Sequence, residues 1–191
     1  MIDPHQEALF DAKGDSIRPG SMGQVLLADD AREGIKLVEL HWGLRPSSGG
    51  RPWHNVRAEG RVVPVEERCL VVADGYYITV KEGPDRGRWL VTWPDEPHMC
   101  LAGVWQRQRR DWPASYAIIT CAPGPDLLSY EDRQSVFVAP SMWGAWLGGA
   151  ATEKDVLRPL PPGSLKVTRL TRPRSTRRVP ARQSDEPLFK F

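Results

Sequence analysis

The chain has 191 residues, 40% hydrophobic and 26% charged, with a formal net charge of +2. That length can bury a sizeable core, and the balance is that of ordinary globular material. No run of about 18 apolar residues occurs, which excludes a membrane-spanning helix, and an N-terminus carrying Asp3, His5, Glu7 and Asp11 lacks the basic start and apolar segment of a secretory signal, so a cytoplasmic location fits.

Residues 4–10 read as a short helix. Residues 25–28 and 35–42 read as strands, the second alternating apolar and polar so that one face is buried. Asp29 to Gly34 is turn material between them. Cys69-Leu70-Val71-Val72-Ala73 is a continuous apolar run closed by Asp74-Gly75, which suits a central strand. Residues 76–80 and 88–93 form a hairpin pattern across a Gly/Pro-containing loop. Residues 100–105, 116–121 and 136–138 are further strands. Residues 141–147 are helical, with Ser141 as N-cap and Trp143, Trp146 and Leu147 on one face. An alternating strand over 165–170 closes the domain, which spans residues 1–170. The fold class is therefore α+β: a bent antiparallel or mixed sheet closing into a barrel-like core with a few short helices. Residues 171–191 are basic, prolyl and non-periodic, the composition of a disordered tail.

The charge is uneven. From Arg169 onward seven Lys/Arg stand against two acids, whereas the 168 residues before carry nineteen against twenty-two. A nucleic-acid partner would have to be met by a local basic groove rather than by net charge. Cys69, Cys100 and Cys121 are far apart, with no CxxC or Cys/His spacing, so no zinc site and no other cofactor is expected. Cys69 and Cys121 lie in apolar runs and read as reduced core thiols.

Several segments, in order, resemble one family. Arg18-Pro19-Gly20 precedes an apolar strand. Leu40-His41-Trp42-Gly43-Leu44-Arg45-Pro46-Ser47 resembles Arg-Trp-Gly-Leu-x-Pro-Ser/Gly, and Asn55-Val56-Arg57-Ala58-Glu59 resembles Asn-Ala-Arg-Ala-Glu. Asp74-Gly75-Tyr76-Tyr77, Ala102-Gly103-Val104-Trp105, Ile119-Thr120-Cys121-Ala122 and Leu157-Arg158-Pro159-Leu160-Pro161 follow at fitting distances. Together, over roughly residues 18–168, they resemble the SOS response-associated peptidase family. That resemblance implies binding of single-stranded DNA and capping of abasic sites. An exposed N-terminal cysteine closes a thiazolidine on the ring-opened sugar, an Asn holds the substrate, and a Glu and a His move protons.

This chain departs from the family at three of those four positions. It begins Met1-Ile2-Asp3, Ile78 stands at the Glu position, and Glu131 stands at the His position; Asn55 is kept. An isoleucine carries no proton, and a carboxylate near pKa 4.3 is a poor general acid at neutral pH. The matched positions make Asn55 and Glu131 the catalytic candidates and Trp42, Asn55, Arg57, Arg133, Pro19 and Thr120 the DNA-contacting ones. Arg57 and Arg133 suit phosphates. Trp42 suits either an unstacked base or the core. His54, beside Asn55, is a neutral-pH proton carrier that can substitute for the missing acid/base. Near the tail end, Gln183 and the apolar pair Leu188-Phe189 resemble peptides that occupy bacterial sliding clamps.

The reading that follows is a degenerate family member binding single-stranded or gapped DNA near abasic sites. Two others stay open. One is an active crosslinking enzyme whose start lies upstream with its cysteine. The other is a protein-interaction adaptor that kept the fold and docks partners through residues 171–191.

Overall fold

Side chains alternate between the two faces of a strand. In the runs at 69–73, 100–104 and 116–121 both alternating sets are apolar, so each of these strands has to be covered on both sides. The computed structural model describes residues 6–10 (backbone path), 16–29, 34–47, 49–96 and 98–170. Its strands are β1 (Gln6–Phe10), β2 (Ser16–Ile17), β3 (Met22–Asp29), β4 (Gly34–Trp42), β5 (Asn55–Arg57) and β6 (Arg68–Ala73). They continue as β7 (Gly75–Val80), β8 (Gly87–Thr92), β9 (Met99–Gln106), β10 (Ser115–Cys121), β11 (Gln134–Ser135) and β12 (Lys166–Leu170). The short helices α1 (Trp143–Leu147) and α2 (Glu153–Val156) precede β12.

One sheet runs β12-β8-β7-β1-β2, and the other β11-β10-β4-β3-β6-β9. In the second sheet β9 pairs back onto β10, so the pairings return on themselves. The ring is not a clean barrel. Its seam is parallel and short, His41 and Trp42 of β4 against Ser115 and Tyr116 of β10. Where β4 leaves that edge, β5 takes it over, pairing Asn55, Val56 and Arg57 with Ile118, Ile119 and Thr120. Strand-rich α+β architecture with few short helices is thus what the sequence pattern led to.

Two apolar clusters explain the doubly apolar strands. Cys69, Val71, Leu101, Tyr116 and Ile118 face an inner cluster with Trp42, Tyr76 and Ile78. Leu70, Cys100, Ala102, Ala117 and Ile119 face an outer cluster closed by Trp146, Leu147 and Val156. Strand packing is tight enough to require glycine at Gly103, where a Cβ would stand 2.7 Å from Cys69 Sγ. Arg68 fastens the helical cover. Its guanidinium donates to the carbonyls of Val63, Trp146 and Ala151 (3.1, 3.2 and 2.8 Å), pairs with Glu153 at 3.0 Å and lies over the Trp146 ring.

Four local expectations change. Within 4–10, Gln6–Phe10 is a strand rather than a helix, and residues 4–5 lie outside the described residues. An isolated helix of that length is marginal, and here the segment pairs antiparallel with both β7 and β2. Around 136–138 the ladder strand is Gln134–Ser135. Residues 136–138 continue it as an extended wedge, with Val136 bonding both Ile119 and Ala102 and with Val138 N donating to Cys100 O. Ser141 does not cap α1; it lies in a 3-10 turn (Pro140–Met142) that leads into the helix. In β4 only Leu40 and Trp42 are buried; β10 pairs with His41 and Trp42 alone, and the first half of the strand pairs only with β3 among the described residues. The turn residues 30–33 and the tail, with its clamp-like segment 183–189, lie outside the described residues.

Candidate functional site

β5 is three residues long and is held by groups from outside it. Ile118 N and Trp42 Nε1 both donate to His54 O, at 2.9 and 2.8 Å, and Ala58 N donates to Thr120 O at 2.9 Å. Between these clamps the strand places Val56 in the outer cluster and leaves Arg57 exposed. Asn55 Oδ1 is a buried acceptor with no hydrogen-bond partner among the described residues. A buried polar atom without a partner is uncommon and asks for an explanation, and a bound group that donates to it is one.

Arg133 is built in beside this strand. Its Nε donates to Thr120 Oγ1 at 3.2 Å and its Nη2 to Thr120 O at 2.6 Å. The same Nη2 meets Glu59 Oε2 at 2.7 Å and Oε1 at 3.0 Å. The hydrogen bond from Arg133 holds the Glu59 carboxyl below the usual carboxylate range. Glu59 is half-exposed, so solvent screens the pair and its contribution to stability is small. Arg133 is therefore positioned by the buried Thr120 and neutralised by an exposed carboxylate that a phosphate can replace.

The positions that carry proton transfer in the resembling family look different. Ile78 is wholly buried in the inner cluster, and Glu131, 7% exposed, accepts a hydrogen bond of 2.6 Å from Tyr76 Oη. His54 is half-buried. Burial, and then the neighbouring His41, lowers its pKa from 6.5, which favours the neutral ring. The three thiols do not offer a replacement nucleophile. Burial pushes Cys121 up to about 11 and Cys100 up to about 12, and it raises Cys69 as well, so all three are protonated at neutral pH.

Asn55, Arg57, Thr120 and Arg133 are thus brought together along the β5–β10 pairing. Thr120 is buried, with its hydroxyl bonded to Val56 O and Arg133, so its contribution is to hold the arginine. Trp42 is a correction to the base-stacking expectation. It is 0% exposed, stacked on Tyr116 at 6.2 Å, and its ring nitrogen anchors His54 O, so it supports β5 from below. Pro19 lies in a turn (Ser21 N to Arg18 O, 2.9 Å) fastened to Trp42 O by Gly20 N. Glu59 and Tyr76 lie within the sequence motifs, but no local signal marks a role for either. Their partners are 74 and 55 residues away, and only the fold brings each pair together.

The family model described as SOS response associated peptidase (SRAP) matches residues 5–173. No curated protein matches the sequence. Among solved structures, a Bordetella bronchiseptica protein is 20% identical with a TM-score of 0.71, covering 87% of this chain and 99% of its own. A phage-related protein of the same organism is 17% identical with a TM-score of 0.67 (88% and 94% covered). A Bacteroides thetaiotaomicron protein is 17% identical with a TM-score of 0.65 (82% and 77% covered). At these identities the structural likeness speaks for the fold.

Proposed function

The chain belongs to the SOS response-associated peptidase family, and from that premise we propose that it binds single-stranded or gapped DNA, at or near abasic sites, without the family's covalent chemistry. Membership associates the protein with the DNA-damage response. The observation that carries the reading is the buried, partnerless Oδ1 of Asn55 on a strand whose next outward side chain is the exposed Arg57. A donor on the sugar would satisfy Asn55, while Arg57 and Arg133 take flanking phosphates, Glu59 giving way at Arg133.

The non-covalent part rests on what fills the proton-transfer positions. Ring opening and addition to an aldehyde need a group that gives and takes a proton. Ile78 does neither, Glu131 is engaged by Tyr76, and the three described thiols are protonated. His54 remains a neutral base beside Asn55, without an acid partner among its resolved neighbours.

The test is an abasic oligonucleotide incubated with the full chain and run on native and denaturing gels. A native shift that vanishes under denaturation is expected, weakened in Arg57→Ala and Arg133→Ala. A band that survives denaturation overturns the non-covalent part. No native shift at all overturns DNA binding and favours a protein-interaction role.

A further inference from the structure

By strand alternation Val56 points away from the side of β5 that carries Asn55 and Arg57, and it lines a cavity of about 190 Å³. Three arginines are among the residues that line it: Arg45 after β4, Arg61 after β5 and Arg109 in the β9–β10 hairpin, with Glu67 as the one acidic residue. None of the three is ion-paired among the described residues. Arg45 donates to Asp111 O at 3.4 Å and stands over the Trp112 ring at 5.8 Å, while Arg61 donates from Nε to Arg57 O at 2.9 Å. Three cations from separate segments around one concavity, with a single counter-charge, leave an uncompensated positive field there.

Trp53 borders the same cavity and is 44% exposed, in contrast to the buried Trp42. Its backbone is fixed by reciprocal bonds to Leu44 of 2.8 and 2.9 Å, and its ring has no aromatic partner among the described residues. A held aromatic face beside unpaired arginines is the combination that takes a base by stacking and its phosphate by charge. The turn from Arg57 to Arg61, closed by Arg61 N to Ala58 O at 3.0 Å, links this cavity to the β5 site.

We propose that the Arg45–Arg61–Arg109 cavity is a second subsite, holding one phosphate and the adjoining base of a DNA single strand that continues past β5. It rests on the DNA-binding reading above and extends it to the flanking strand. The subsite makes affinity depend on strand length, because a short oligonucleotide reaches the β5 site alone.

Fluorescence anisotropy tests this with labelled single strands of about six and about twenty nucleotides, spanning the footprint of one binding fold. The gain in affinity of the long strand over the short one should shrink about tenfold in Arg45→Gln/Arg109→Gln and in Trp53→Ala, as loss of a stacked base implies. Trp53→Phe, which keeps a stacking face, should restore most of it. Arg57→Ala/Arg133→Ala should instead weaken both lengths together. An unchanged length dependence in the cavity variants, with wild type binding DNA, overturns the second subsite alone. Equal weakening of both lengths by the cavity variants overturns it too, since the two arginine groups would then be one site. No binding of either length by wild type overturns both readings.

Discussion

His54 immediately precedes the strand that carries Asn55, its ring edge-on to Trp42 at 6.3 Å. Burial and His41 both disfavour its charged form and lower its pKa from 6.5. Above that value neither the folded nor the unfolded chain is charged at this residue. As pH falls below 6.5, the unfolded chain takes up the proton first, so stability declines through the window down to the folded value. An NMR titration of the His54 ring should therefore show a midpoint below 6.5, and His41→Gln should move it upward. A midpoint unmoved by that substitution would leave burial as the sole cause. Single residues were legible in the sequence to the extent that a motif names them. Asn55, Arg57 and Arg133 were placed together by the resemblance. For Trp42 the residue pattern leaves core and base equally open, because an aromatic at the end of an alternating strand suits both. Tyr116, 74 residues along, decided it by covering the ring.

Among the elements, long doubly apolar runs were readable because their composition alone demands cover on both faces. β1 and β5 were not, since a strand of three to five residues is defined by its partner. For β5 that partner is β10, some sixty residues away. The cover over the outer cluster was equally hidden, for it depends on one buried cation. Arg68 satisfies three carbonyls and Glu153 at once and joins β6 to the turns around α1 and α2. Arg68→Ala leaves those carbonyls buried without donors, and the loss should be about 3 kcal/mol. Urea denaturation measures it through the midpoint at constant slope. Glu153→Gln should cost far less, because Glu153 is partly exposed and the guanidinium keeps its carbonyl partners. If both substitutions cost the same, the ion pair rather than the carbonyl set fastens the helices.

At the scale of the whole molecule, the 168 residues before Arg169 are slightly acidic, so on the DNA-binding reading proposed above that part attracts DNA only weakly at long range and its contact with the strand depends on a few local cations. Salt dependence counts those cations, at about 0.7 in the slope of log affinity against log salt for each single-strand phosphate neutralised. Arg133→Ala should flatten the slope by about that amount. Glu59→Gln tests the same contact from the other side. Arg133 keeps its two bonds to Thr120, at 2.6 and 3.2 Å, when the carboxylate charge is removed, so it stays in place and no longer has to exchange partners. Affinity should then rise a few-fold, which is about 1 kcal/mol, the scale of an exposed ion pair that no longer has to be broken. In Glu59→Gln/Arg133→Ala that gain should disappear, because the carboxylate acts on DNA through this arginine. A gain that persists in the double variant would mean that Glu59 repels the strand directly and that Arg133 touches no phosphate.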